Sequence, residues 1–501
     1  MEPHSRIVSA PVDFGVVRSE FGLAPDYPPE AVSEARDATD AFAGVRADRT
    51  DIEFVTIDPP GAMDLDQALS LERTPTGFLL HYAIADVGAV VAPDGALARE
   101  SLVRGQSFYL PDGTVPLHPP VLSEGSASLL PGRVRPAALW TIECDDSAEP
   151  QRFSVHRALV RSRARLDYSG VQADADAGRL HPSIAALPEF GRLRIEAGLA
   201  RGAIELRLPA QSVIPDGDGD RTGHWQLVVE PRTEADDWNE QISLLTGLCA
   251  ARIMLADNGS DARIGLLRTM PAPPASAIAA MHRTAVALGV HWPAGMAAGQ
   301  MLSGLDPATP AALALMSEAT ALLRGATYTV LDGEDPDILQ HSGIGAPYAH
   351  VTAPLRRLAD RYTLEICLAR CAGTPVPRWV RDGLGPAAES MRRSDAVGGK
   401  LERACLDLTE STVLAPRLGD IFDAVVIREG NGNRAAEIFI ADPPVMAKCT
   451  GSPPEGQLVR VRLDIADPDR RVVGFGYPAD SPAGPESTGE QQNPGKSLAA
   501  E

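Results

Sequence analysis

The chain has 501 residues, is 44% hydrophobic and carries a formal net charge of −21 at pH 7. That length suggests about three domains with ample apolar material for a large core. No stretch approaches the ~18 uninterrupted apolar residues of a membrane span. The opening Met1-Glu2-Pro3-His4 also lacks the basic-then-apolar order of a secretory leader. The six cysteines (Cys144, Cys249, Cys367, Cys371, Cys405, Cys449) are scattered. Cys367 and Cys371 have helical spacing and no matching second pair, which argues against a zinc site. The expectation is a reduced cytoplasmic protein with no membrane partner.

Residues 1 to about 50 read as a polar lead-in, with Pro28-Pro29-Glu30-Ala31 able to start a helix. From about 51 to 145 the pattern is mostly β. Val55-Thr56-Ile57 reads as the end of a buried strand, Phe78 to Val87 as an apolar strand, and Leu139 to Cys144 as another. Trp238 to Asp257 has apolar positions at helical spacing, with Asn258-Gly259 as a stop. Residues 275–289, 307–325, 354–372 and 385–414 also read as helices. The fold class is α+β: a mixed β core with a late helical bundle. Beyond Pro416, Phe422 to Ile427, Ala436 to Ile440, Leu458 to Leu463 and Val472 to Tyr477 read as short strands between Gly, Asp and Pro turns. They suit a small five-stranded barrel of the OB type. Residues 479–501 are rich in Pro, Gly, Ser, Glu and Gln and read as disordered. The division is therefore 1–50, 51–415, 416–478 and 479–501.

Asp58, Asp64 and Asp66 fall within nine residues, in a segment that Pro59, Pro60 and Gly61 force into a turn. Carboxylates brought this close repel one another unless a cation sits between them. Oxygen ligands with no nearby His or Cys suit Mg²⁺ or Mn²⁺ rather than zinc. The same residues read equally well as an acidic surface loop with helix-capping aspartates. A net charge of −21 argues against a nucleic-acid partner. The charge is uneven, however. Gln151 to Tyr168 holds five arginines against Asp167, and His350 to Arg403 holds ten Lys/Arg against six Asp/Glu. Basic islands inside an acidic shell can bind RNA if they line a channel, or they can pair with local acids.

Four segments in order narrow these alternatives. They are Thr56-Ile57-Asp58 with Met63-Asp64-Leu65-Asp66-Gln67-Ala68; His81 to Val87 followed by Arg104-Gly105, Tyr109-Leu110-Pro111 and Leu122-Ser123-Glu124-Gly125; Ala164-Arg165-Leu166-Asp167-Tyr168; and His350 to Asp360. Together they resemble the RNB catalytic domain of the ribonuclease II / ribonuclease R family, over roughly residues 50–415. The barrel follows where that family carries its OB-type RNA-binding domain. The resemblance implies a processive, hydrolytic 3′-to-5′ exoribonuclease. It would release nucleoside 5′-monophosphates from single-stranded RNA with Mg²⁺, and no protein partner is implied. Asp58, Asp64 and Asp66 match three of the family's four metal-site aspartates, and Asp66 the most critical. Gln67 stands at the fourth, where an amide is a poorer Mg²⁺ ligand, so the second metal is open. Arg356, in Pro354-Leu355-Arg356, matches the arginine near the scissile phosphate, and Arg357 is a second candidate. Without the family, Arg356 would read as a helix-surface arginine paired with Asp360. Tyr109 and Tyr168 match two base-stacking tyrosines. Glu240, Glu402 and Arg403 match positions along the RNA path. The family's N-terminal cold-shock domains have no counterpart in the first 50 residues. Gln67 and that difference motivate the alternative of a catalytically weak or inactive RNA-binding protein on the same fold. A phosphatase using Asp64 and Asp66 is disfavoured, because Pro60-Gly61-Ala62 separates them from the strand.

Overall fold

The computed structural model describes residues 10–216, 223–230, 232–256, 263–432 and 434–479. The expected disordered tail from 480 onward and the Asn258-Gly259 stop lie outside the described residues. The centre is a sheet built from β1 (Ala47–Asp48), β2 (Phe54–Ile57), β3 (Gln67–Thr74) and β4 (Gly77–Ala85). A separate small hairpin follows, β5 (Phe108–Leu110) and β6 (Gly113–Val115). The long strands β7 (Val134–Cys144) and β8 (Pro150–Leu166) complete the sheet. Its order is β1-β8-β2-β3-β4-β7, and β7 pairs again with β8, so the sheet closes on itself. Both faces are apolar. Val55, Leu69, Tyr82 and Trp140 pack on one side, and Phe54, Ala83, Leu139 and Val160 on the other. Period-2 alternation within β2 produces this split between Phe54 and Val55. A strand buried on both faces reads as a continuous apolar run, as β4 does.

The helices Glu234–Leu255, Leu358–Cys371 and Arg378–Leu414 supply much of the rest of the main core. The first is opened by a capping box between Thr233 and Asp236. The strand expected to run through Val87 ends at Ala85, and Val87–Val90 is a short helix. The helix expected at 385–414 begins at Arg378 and passes through Pro386. Proline frees only the carbonyl four residues earlier, on Asp382, whose side chain is exposed, so water can take that carbonyl. The helix expected from 354 begins at Leu358. Residues 354–357 are a turn instead, in which the Ala353 carbonyl accepts from both Arg356 N and Arg357 N.

Ile421–Arg428, Ala436–Ala441, Pro444–Thr450, Leu458–Asp467 and Val472–Gly476 form a closed five-stranded barrel around Phe422, Ile438, Val461 and Phe475. Pro444–Thr450 is the strand that the sequence pattern did not reveal. Its proline occupies the first strand position, where a missing N–H is tolerated. Among the described residues no helix is long and apolar enough to cross a membrane.

Candidate active site

The acidic loop leaves β2, turns, and re-enters the sheet at β3. Asp58 N donates to Leu166 O (3.1 Å) and Ala62 N to Pro59 O (3.1 Å). Gly61 turns the chain at φ 85°, a conformation open to glycine. Beyond the turn the loop is pinned by a fully buried Leu65. Its N–H donates to Ser128 Oγ (3.0 Å), and its carbonyl accepts from Leu129 N (2.9 Å). On either side of Leu65, Asp64 is half-buried and Asp66 is buried.

Asp66 is 2% exposed. Its Oδ1 accepts from Leu355 N at 2.7 Å, and its Oδ2 lies 3.4 Å from Arg356 Nε. The turn at 354–357 therefore serves the site directly: its backbone grips Asp66 and its arginine faces the same carboxylate. The turn is braced from behind. Ser107 N donates to Arg356 O and Leu358 N to Gly105 O, both at 2.9 Å. Asp360 accepts from Ala353 N (2.8 Å) and from Arg357 Nη2 (2.7 Å). Asp360 thus pairs with Arg357, and Arg356 is left facing the acids.

Burial raises the Asp58 carboxyl to about 6, because Arg356 only partly offsets it and the Asp64 charge adds to it. Burial also pushes Asp66 well above the usual carboxylate range, against the pull of Arg356 and the Leu355 N–H. Asp58 Oδ2 and Asp66 Oδ2 are buried without a hydrogen-bond partner. Two orphaned acidic oxygens that resist ionisation fit a hard cation, which would restore their charge. The set is small. No group of three His, Cys, Asp or Glu is already gathered as a cage among the described residues. That still suits Mg²⁺, which commonly takes one or two carboxylates, waters and substrate phosphate oxygens. Asp64 Oδ2 accepts from the Tyr109 hydroxyl at 2.9 Å.

Gln67 is occupied. Its Nε2 donates to Thr352 O (2.8 Å), and its Oε1 accepts from the Tyr82 hydroxyl (2.7 Å). Tyr82 is buried and also lies 2.9 Å from Ser243 Oγ. Gln67 therefore ties β3 to the segment that carries Arg356.

A cavity of about 670 Å³ opens beside Gln67 and Arg356. Gln67, Tyr168, Glu240, Arg356 and Arg357 all line it. Tyr168 begins a helix capped by Asp167, and its hydroxyl is 3.5 Å from Asn239 Nδ2. Glu240 forms an ion pair with Arg232. Glu402 and Arg403 are not in this wall. They are exposed on the helix Arg378–Leu414, where Arg403 pairs with Asp407 (2.5 Å) and Glu410 (3.4 Å). The cavity adds residues that sequence reasoning left without a role. His350 opens the fourth motif and is held 2.7 Å from the Tyr328 hydroxyl. Burial and the neighbouring Arg357 lower its pKa well below the ordinary value, so the ring is neutral. Arg194, Arg201 and Arg268 come from distant segments, and no local motif marked them.

The match to the RNB domain covers residues 46–369, and that to the RNase II-type exonuclease C-terminal S1 domain covers residues 420–477. The chain is 27% identical to Ribonuclease R of Chlamydia trachomatis over 369 residues, 71% of this chain and 51% of that one. It is 34% identical to Ribonuclease R of Acidithiobacillus ferrooxidans over 198 residues, 37% of this chain and 45% of that one. The chain thus spans about half the length of these curated relatives. Mycoplasma genitalium RNase R, solved in complex with ribose methylated single-stranded RNA, shares the fold at a TM-score of 0.81 and 18% identity, covering 92% of this chain and 77% of that one.

Proposed function

The chain belongs to the RNB-domain exoribonuclease family of ribonuclease II and ribonuclease R, and from that premise we propose that it is a hydrolytic 3′-to-5′ exoribonuclease. Its substrate is single-stranded RNA and its products are nucleoside 5′-monophosphates. The observation that carries this reading is Arg356, which faces the buried carboxylates of Asp66 and Asp58 and lines one cavity together with Tyr168. Residues 51–415 form the catalytic part and 416–478 an RNA-binding barrel.

Tyr109 and Tyr168 offer aromatic faces that stack on bases without choosing sequence. Arg356 binds phosphate oxygens and offsets the charge that develops on the scissile phosphate. Arg357, held by Asp360, places a second positive charge along the cavity wall, and Glu240 offers an acceptor to a ribose hydroxyl. Glu402 and Arg403 act farther along the RNA path. Asp58 and Asp66, with Asp64 at the rim, would hold Mg²⁺ (or Mn²⁺). When bound, such a metal activates water and stabilises the leaving oxygen. Gln67 positions the Arg356 segment in this scheme.

The test is digestion of a 5′-labelled single-stranded RNA by purified protein. In Mg²⁺ we expect stepwise shortening with mononucleotide product, none with EDTA, and none on DNA. Asp66→Asn should abolish cleavage and retain RNA binding. A second reading, an RNA-binding protein without turnover, is favoured by the engaged amide of Gln67 and the absence of a ready three-ligand group among the described residues. Tight binding of intact RNA by clean wild-type protein, in Mg²⁺ and in Mn²⁺, would establish that reading instead.

A further inference from the structure

Tyr109 does not stand on the central sheet. It sits on β5 of the small hairpin, between Phe108 and Leu110. Tyr109 is exposed and its hydroxyl reaches Asp64, whereas Phe108, Leu110 and Val115 are buried in a cluster with Phe14 and Val17. Strand alternation thus puts Tyr109 on the site's side and both its neighbours on the side of the helix Gly15–Glu20. Two three-residue strands cannot fix their own position in water, so whatever backs the hairpin places its tyrosine.

The backing is continuous from residue 12 to residue 27. Val12 N donates to Gly223 O at 2.8 Å, and the Phe14 ring packs edge-on against Trp225. Arg18 forms an ion pair with Asp112, at the hairpin turn. Two residues on, Glu20 pairs with Arg471 of the barrel at 2.7 Å. Past the helix, the Tyr27 hydroxyl donates to Pro116 O, immediately after β6. The Arg104 guanidinium lies 3.8 Å over the Tyr27 ring and donates to Asp26 O at 2.6 Å.

We propose that residues 12–27 are a strap that sets the position of Tyr109 against Asp64, with Val17 and Arg18 as positioning residues for RNA held at the site. This rests on the exoribonuclease reading above. None of the strap residues faces the cavity that holds Arg356 and Tyr168. They act through the hairpin, by its apolar back and its charged turn.

Charge reversal tests the strap with little risk to folding, because Arg18 and Asp112 are both partly exposed. Arg18→Asp sets two carboxylates against each other at the turn. It should raise KM for single-stranded RNA about tenfold, the size of a weakened base stack, while kcat changes less than about twofold. Asp112→Arg added to Arg18→Asp should return KM to the wild-type value. In a Tyr109→Ala background, Arg18→Asp should change KM no further, because both act through one contact. Thermal midpoints of all variants, with Arg18→Gln as a milder change, separate positioning from stability. An unchanged KM in Arg18→Asp, or a KM rise that persists without Tyr109, overturns the strap while leaving the nuclease reading intact. A wild-type protein that neither binds nor cleaves RNA removes both.

Discussion

Gln67→Asp places an aspartate where the resemblance to the family led us to expect a fourth, and the structure predicts that it harms the protein. The amide of Gln67 donates to Thr352 O and accepts from Tyr82 at once. Aspartate is one methylene shorter and, when ionised, has no donor. Thr352 is 3% exposed, so stranding its carbonyl costs about 1–3 kcal/mol. Tyr82 keeps Ser243 as a neighbour, which limits the loss on that side. A new carboxylate also joins Asp58 and Asp66, whose pKa values burial already raises. With no bound cation, the combined cost is about 2–4 kcal/mol. The segment freed at Thr352 carries Arg356 four residues on, so turnover should fall about tenfold or more through misplacement of that guanidinium. Urea denaturation gives the stability change, and digestion of labelled RNA across a Mg²⁺ series gives the rate. Gln67→Glu, which keeps the length and loses only the donor, should lie between wild type and Gln67→Asp. A Gln67→Asp protein with an unchanged urea midpoint and faster RNA cleavage would refute the bridging role and restore position 67 as a ligand.

Arg356→Lys keeps the charge and loses the planar fork, so kcat should fall about 100-fold with a smaller change in RNA affinity; equal kcat values in single-turnover assays would count against a phosphate role. Gly105→Ala should destabilise by about 3 kcal/mol, because φ is +74° and an added Cβ would meet Ser394 Oγ at 2.5 Å and Ser390 O at 2.9 Å; a melting temperature within a degree or so of wild type would contradict that packing. Glu410, where the helix Arg378–Leu414 meets the barrel, accepts from Gln211 Nε2, which also donates to Pro444 O. Burial raises the Glu410 carboxyl to about 7, against the pull of Arg403. The folded protein therefore holds this proton more tightly than the unfolded chain does, and its stabilising effect is lost as pH rises from about 4.5 to about 7. Glu410→Gln removes that slope, so its stability relative to wild type should improve by about 3 kcal/mol across the window; parallel denaturation curves at both ends would show that Glu410 titrates normally.

Much of this site was visible along the chain because its parts lie close in sequence. Asp58, Asp64 and Asp66 are separated by a turn that Pro59, Pro60 and Gly61 announce, and β2 was plain from its apolar run. The closed barrel was legible from its turns, save for Pro444–Thr450. Element ends were less legible. The helix expected from 385 starts at Arg378 and runs through Pro386, because solvent can satisfy the carbonyl that this proline frees. The helix expected from 354 likewise waits until Leu358, while the turn before it grips Asp66.

Residue types and their order determine the chemistry on offer: oxygen ligands, one guanidinium, aromatic faces, and a family that combines them. Which groups remain available is a tertiary matter, decided by partners far away in the chain. Asp360 takes Arg357 and leaves Arg356 facing the acids. Thr352 and Tyr82 take Gln67, which the sequence offered as a metal ligand. Phe14, Val17 and Arg18 back the hairpin that carries Tyr109, across some ninety residues. Burial then raises the carboxyls of Asp58 and Asp66, because desolvation depends on what surrounds a group in space and not on its neighbours in sequence.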